Sequence, residues 1–297
     1  MFIINNRKIF FILSALLILA SFFSVWKYGF NLGIDFKGGS VLEVSYESNR
    51  PEKGIVSLEL DKLGLGNFIL TPSGDTNFIL KTRELSPVEK TVVMSAFQRN
   101  PENVAKEERF SSIGPVVGDQ MKNKAMVAIS IVIICILLFV TFAFRKVSLP
   151  VASWKYGLVT IVALLHDVII PTGIFVFYSH YTGAEIDLLF VSAILAILGY
   201  SVHDTIVVFD RVRESLKDGV KGSFDVVVGD SLMKTMSRSI NTSLTTFLTL
   251  AALYFVGGET TKDFALLLLV GIVVGTYSSI FVASPLLVTL EKFQKKN

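Results

Sequence analysis

Apolar residues gather in this chain into runs long enough to cross a bilayer, separated by short charged stretches. The runs read as Ile9 to Trp26, Ala125 to Phe144, Tyr156 to Tyr178, Leu188 to Phe209, Ser239 to Val256 and Phe264 to Leu290. About 20 mainly apolar residues carry a helix across the hydrocarbon core, so six membrane spans are expected. The first run follows Arg7 and Lys8, as the apolar part of a secretory signal does. It is too long for one and no small-residue cleavage site closes it, which predicts a retained span.

Between the first two runs the period changes. Ser40 to Tyr46 alternates as a strand, and Glu52 to Leu63 has helical spacing. Asn67 to Thr71 and Asn77 to Thr82 read as strands around a turn at Pro72-Ser73-Gly74-Asp75. Ser86 to Gln98 opens with a Ser-Pro-x-Glu cap and reads as a helix, and Val104 to Phe110 as a last strand. The order β-α-β-β-α-β predicts a small ferredoxin-like α+β domain inserted into a six-span helical bundle. The expected division is a first span over 1–28, an extracytoplasmic domain over 29–122 and a five-span bundle over 123–297. A cytoplasmic loop is expected at 210–235, amphipathic and either surface-lying or solvated.

Lys and Arg in short loops set orientation. Arg145, Lys146 and Lys155 follow the second run; Arg211, Arg213, Lys217, Lys221 and Lys234 follow the fourth; Lys292, Lys295 and Lys296 follow the sixth. Ser179 to Asp187 has no basic residue, and Gly257 to Asp263 only Lys262. Both termini are therefore expected in the cytoplasm. Asn5, Ser148, Lys221 and Asn297 should face it, and Glu47, Ser179 and Gly258 the outside.

Composition narrows the class. Charged residues make up 18% of the 297 residues, against about 25% in a soluble domain, too few to cover a water-exposed surface. The single cysteine, Cys135, lies inside an apolar run, so no disulfide framework is expected. Basic residues are dispersed rather than gathered with aromatics, which speaks against nucleic acid as a partner.

Four stretches carry a resemblance. Asn31-Leu32-Gly33-Ile34-Asp35-Phe36-Lys37-Gly38-Gly39 follows the first run, where Gly38-Gly39 also suits a turn into a strand. The third run holds Ala163-Leu164-Leu165-His166-Asp167-Val168, and the fourth ends in a long motif from Gly199 to Glu214 that includes Asp210-Arg211. The fifth opens with Ser237-Arg238-Ser239-Ile240-Asn241-Thr242-Ser243. In this order, over nearly the whole chain, they resemble the SecD/SecF family of protein-export membrane proteins, and its SecF branch in particular. One departure is His203, where the family commonly has asparagine.

The resemblance implies a non-enzymatic, multi-pass subunit of the bacterial inner membrane. It implies pairing with SecD in an assembly related to resistance-nodulation-division exporters, beside the SecYEG channel, with YajC and YidC as further candidate partners. Such an assembly uses protons to promote late-stage release of the translocating polypeptide. An independent proton-driven small-molecule exporter of the same architecture is the alternative, and six spans make only half of one. Gly33, Asp35, Phe36, Gly38, Gly39, Asp210 and Arg211 match the family signature.

Ionisable groups at bilayer depth need a reason, since each costs at least ~2.5–3.5 kcal/mol to insert. Asp204 lies about 16 residues into the fourth run, or ~24 Å at 1.5 Å per residue, level with Arg238 near the start of the fifth. Arg238, Asn241, Thr242, Thr245, Thr246 and Thr249 share one helix face, while Tyr200, His203 and Asp204 share another. Two polar faces suit a wet path or interhelical hydrogen bonds, and a snorkelling anchor is an equal reading of Arg238 from position alone. With the resemblance added, Asp204 is expected to carry the proton and Arg238 to be its charge partner, with Asp167, His166 and His203 as further candidates. Adjacent positions in a helix point about 100° apart, so neither His-Asp pair forms a one-face chelate; no metal and no cofactor are expected. Gly271 and Gly275, followed by Ser278 and Ser279, predict close helix packing.

Overall fold

The computed structural model describes residues 2–98, 103–145, 151–220 and 222–296. Lys146, Ser148, Lys221 and Asn297, named above for orientation, lie outside the described residues. The helices are α1 (Phe2–Asn5), α2 (Arg7–Tyr28), α3 (Ile34–Lys37), α4 (Lys53–Asp61), α5 (Pro87–Phe97) and α6 (Pro115–Ala143). They continue as α7 (Ser153–Thr182), α8 (Leu188–Lys217), α9 (Phe224–Val256), α10 (Glu259–Ser278) and α11 (Ser284–Lys296), with a π-helical turn over Ser279–Ala283. The strands are β1 (Gly39–Tyr46), β2 (Ile69–Ser73), β3 (Asn77–Thr82) and β4 (Ala105–Ile113). Two compact units result, one of residues 1–31 with 127–297 and one of residues 32–126.

Among the described residues six helices are long and apolar enough to cross a membrane: Arg7–Tyr28, Pro115–Ala143, Ser153–Thr182, Leu188–Lys217, Phe224–Val256 and Thr261–Phe293. The last joins α10, the π turn and α11. Pro285 accounts for the break, because it has no N–H for the carbonyl four residues earlier and its ring crowds that carbonyl; the wider π turn just before it absorbs the mismatch. In α7, Gly173 sits so close to α2 that a Cβ there would lie 2.4 Å from the Cα of Ser21, and Ser24 Oγ donates to the Gly173 carbonyl at 2.9 Å.

The segment 210–235, expected as a loop, is mostly helix: α8 continues to Lys217 and α9 begins at Phe224. The charges that ended the apolar run pair locally, Arg213 with Asp210 and Arg211 with Glu214, each at 2.5 Å, the acids exposed and the arginines half-buried. The apolar residues between them are buried. Val212, Phe224 and Val228 join a core with Phe144, Tyr156, Phe209, Leu287 and Val288. Phe144 stacks on Tyr156 at 5.2 Å, and Phe209 meets Tyr156 edge-on at 5.3 Å.

The unit of residues 32–126 is a four-stranded antiparallel sheet in the order β2-β3-β1-β4, with elements running β-α-β-β-α-β. Alternation sends Leu42, Val44 and Tyr46 of β1 and Phe78 and Leu80 of β3 to one face, where they bury Val56 and Leu60 of α4 and Val93 and Phe97 of α5. The turn expected at 72–75 sits later. Pro72 and Ser73 extend β2, opposite Phe78 and Asn77, and the turn is Gly74-Asp75-Thr76. Pro72 is tolerated because β2 is an edge strand. Ser86 and Glu89 form a complete capping box at the start of α5.

We expect a fragment of residues 32–126 to fold alone and to melt cooperatively. Ser86→Ala should cost it about 1 kcal/mol, the usual value of such a cap. Arg83, with the Ser86 N–H, holds the Glu89 carboxyl down at about 2. Its small, exposed contribution is present above about 4.5 and lost as pH falls towards 2. Undispersed amide signals together with non-cooperative melting would show that the fragment does not fold alone.

Candidate functional site

Asp167 lies midway along α7 and is 0% exposed. A carboxylate in that position needs donors on both oxygens. Oδ1 is met by His166 Nδ1 at 2.8 Å, and Oδ2 accepts from Ser278 Oγ at 2.6 Å and from Ser201 Oγ. The three partners come from α7, α8 and α10, so one carboxylate ties three spans together. The adjacent residues His166 and Asp167, expected to diverge, hydrogen-bond to each other. Backbone directions 100° apart still let two flexible side chains meet above the helix surface.

Close packing of α10 on α8 is what brings Ser278 and Ser201 together. A Cβ on Gly271 would lie 2.2 Å from Ile197 Cδ1, and one on Gly275 3.1 Å from Ser201 Cβ. Only glycine permits that approach at Gly271 without displacing α8. Ser279, the first residue of the π turn, then meets Thr205 at 3.0 Å between hydroxyls. His166 also faces the Tyr277 ring, with centroids 5.9 Å apart. Ser201, Ser278, Ser279 and Thr205 were not among the expected proton-coupling residues, and a lone serine in an apolar run carries no signal of such a role.

Asp204, on the buried side of α8, is 4% exposed. Ser239 of α9 and His203 are the polar groups that bear on its carboxylate. Among the described residues, however, neither Asp204 Oδ2 nor Ser239 Oγ has a hydrogen-bond partner. Asp204 and Arg238 form no ion pair here: Ser239 faces α8, and Arg238, one position earlier, is turned away and exposed. His203 is exposed and Tyr200 half-buried. Tyr200 donates to Ser243 Oγ at 3.1 Å, and Ser243 meets Thr276 of α10 at 2.6 Å, so this chain of hydroxyls joins α8, α9 and α10.

The polar stripe of α9 points out of the chain. Asn241, Thr242, Thr245 and Thr249 are exposed and Thr246 is half-buried. Thr245 and Thr246 donate back to the Thr242 carbonyl at 2.8 and 3.0 Å, which leaves their oxygens free to accept from outside. Elsewhere, Gly33 caps α3 and Phe36 is buried. Gly38 has φ of 77°, and a Cβ there would meet the Pro115 backbone at 2.8 Å. Gly39 would meet the Thr82 carbonyl at 2.8 Å, so the double glycine lets the start of β1 lie between β3 and the first turn of α6. Among the described residues Asp210 and Arg211 make the local, solvent-accessible pairs described above, which are worth little.

Residues 93–293 match the family model for the C-terminal region of the protein export membrane proteins SecD and SecF, and residues 23–49 match the SecD/SecF GG motif. The chain is 40% identical to the protein translocase subunit SecF of Thermobaculum terrenum, with 97% of this chain and 93% of that protein covered. It is 38% identical to the one from Sebaldella termitidis, over 99% of this chain and 92% of the relative. The crystal structure of SecDF, a translocon-associated membrane protein from Thermus thermophilus, superposes with a TM-score of 0.82 at 33% identity, covering 97% of this chain. A SecDF structure in a super-membrane-facing form gives 0.67 at 32% identity and 98% coverage. In both, this chain spans 38% of the longer SecDF chain.

Proposed function

The chain belongs to the SecF branch of the SecD/SecF family of protein-export membrane proteins, and from that premise we propose that it couples the proton gradient to late release of exported polypeptides. It is a multi-pass membrane subunit of the Sec translocation machinery and a partner of SecD. The observation that carries the coupling is an incomplete polar site. Asp204 is buried with an unbonded oxygen, while Arg238 and the threonine stripe of α9 face out of the chain. Spans of SecD laid on that stripe would enclose it, bring Arg238 into a low-dielectric interior and give Asp204 a proton path. A proton loading or leaving there changes the charge next to the α8–α9 contact. Asp167 holds α7, α8 and α10 together one turn of α8 away, through Ser201, so the rearrangement would pass to all three spans.

Further elements of the reading are SecYEG as the adjoining channel, YajC and YidC as associates, and the bacterial inner membrane as location. The chain acts by moving a polypeptide and not by catalysing a chemical step. The strand order β2-β3-β1-β4 in a β-α-β-β-α-β unit supports a ferredoxin-like classification of residues 32–126, which would contact the emerging chain or SecD outside the cell. Purification from native membranes in mild detergent should recover SecD and a polypeptide channel with this chain. Recovery of a homodimer without SecD would favour a free-standing exporter instead.

Orientation is tested with single cysteines. At Glu47, Ser179 and Gly258 they should react with an impermeant reagent in intact spheroplasts, and at Asn5, Ser148, Lys221 and Asn297 only after lysis. Reaction at position 148 or 221 without lysis would invert the assignment.

A further inference from the structure

His166 and Asp167 are 2% and 0% exposed midway along α7, at the depth where an ionised group is most costly. We propose that the pair is a second proton-binding site, distinct from Asp204, whose proton is exchanged at His166 Nε2. Among the described residues Asp167 pairs with His166 and with no Lys or Arg. The polar groups around the pair are Ser201 and, three residues on, Asp204 in α8, Tyr277 and Ser278 in α10, and Ser14 of α2, which donates to the Tyr277 hydroxyl at 3.4 Å. None is a cation. An ionised Asp167 beside a neutral imidazole would therefore leave one uncompensated negative charge in the membrane.

One added proton removes that charge, and the hydrogen bonds say where it sits. Nδ1 and Oδ1 share a hydrogen at 2.8 Å, while Oδ2 accepts from Ser201 and Ser278. The neutral pair is then either imidazolium with carboxylate or imidazole with carboxylic acid. In the first, both ring nitrogens carry hydrogen. In the second, Nδ1 accepts from the acid and Nε2 carries the ring's one hydrogen. Both forms place a hydrogen on Nε2.

Nε2 is buried and, among the described residues, has no hydrogen-bond partner. Its hydrogen can leave without breaking the bonds of Asp167 to His166, Ser201 and Ser278, so the site can empty while α7, α8 and α10 stay joined. No other proton of the cluster has that freedom. The Tyr277 ring lies nearly parallel to the imidazole, with planes 16° and centroids 5.9 Å apart. An aromatic face within about 6 Å of a cation stabilises it, which favours the loaded form. Ser201 joins the site to the helix that carries Asp204, so this chain would offer the gradient two protons rather than one. That use in export rests on the proton-coupling reading above; the site itself does not.

The full chain, with its three histidines labelled with a heavy nitrogen isotope, would be assembled with unlabelled SecD in lipid vesicles. Solid-state NMR tells a ring nitrogen with hydrogen from a bare one, and the His166→Gln spectrum identifies the His166 signals by difference. At neutral pH Nε2 should carry hydrogen, and alkaline buffer should strip it while Nδ1 keeps its own. In Asp167→Asn, which removes the anion, Nε2 should be bare at neutral pH; in Asp204→Asn it should behave as in the wild type. A bare Nε2 in the wild type at neutral pH, hydrogen retained on it in alkaline buffer, or wild-type behaviour in Asp167→Asn overturns the site. Loss of the Nε2 change in Asp204→Asn overturns its independence from Asp204. None of these readings depends on export, so normal gradient dependence of export in Asp204→Asn would remove the Asp204 mechanism and leave this site standing.

Discussion

In Asp204→Asn membranes, export should lose its stimulation by the proton gradient and fall to the rate of gradient-free wild type. Asparagine keeps the shape and hydrogen-bonding capacity of the side chain but cannot take up or release a proton. The position is buried, its neighbours are Ser239 and His203, and its Oδ2 is unbonded, so the neutral amide brings no new clash. Protein level, insertion and association with SecD should therefore remain near wild type. Arg238→Met should give the same loss, because the arginine charge is permanent and only the aspartate can vary. Arg238→Lys keeps the charge and should retain partial function. Moving one charge through the membrane field is worth ~2.3 kcal/mol per 100 mV, enough to reverse the balance between two states of similar energy. The readout is late-stage release of a polypeptide in inverted vesicles with and without a gradient. Normal gradient dependence in Asp204→Asn would return both residues to structural roles.

Asp167→Leu should destabilise the bundle and also stop export. The substitution takes an acceptor from three buried partners, Ser201, Ser278 and His166, of which Ser278 keeps the Gly275 carbonyl. An unsatisfied buried partner costs about 1–3 kcal/mol in soluble proteins, and interhelical hydrogen bonds average about 0.6 kcal/mol in membranes. The two interhelical bonds, from Ser201 and Ser278, then cost about 1.2 kcal/mol and the stranded His166 about 1 more, ~2 kcal/mol in all, or a fall of about 4–8 °C in melting midpoint for a unit of this size. Asp167→Asn retains an acceptor for the serines and should lose less. Ser201→Ala and Ser278→Ala should be non-additive, since both hydroxyls address the same oxygen. Wild-type melting in Asp167→Leu would remove the carboxylate from its place as the tie between spans.

The six spans were legible because run length alone separates a membrane helix from other elements. What ended each run was misleading at one place. The charges from Asp210 to Glu214 end the apolar run and suggest an amphipathic loop, whereas Val212 continues the buried side of α8 into the core with Phe224 and Val228. Charge marks where a surface is wet, not where a helix stops. Asp204 and the stripe of α9 stood out by charge and by spacing, but the direction in which the stripe points depends on which side of α9 meets α8. Ser239 and Ser243 fix that side, and two serines among many give no warning of it. The partners of Asp167 were out of reach for the same reason: Ser201 and Ser278 are 34 and 111 residues away, and meet only because glycine at 271 and 275 brings α10 onto α8.

Coupling is reciprocal: if a gradient drives the polypeptide, a moving polypeptide must in turn draw protons through the same site. The most direct measurement is therefore proton entry itself, followed with a pH-sensitive dye in vesicles holding the SecD-containing assembly, as an exported chain passes through. The account predicts polypeptide-stimulated proton flux in the wild type and only basal leak in Asp204→Asn. Stimulated flux of wild-type size in Asp204→Asn, or none in the wild type while the gradient still speeds export, would contradict it.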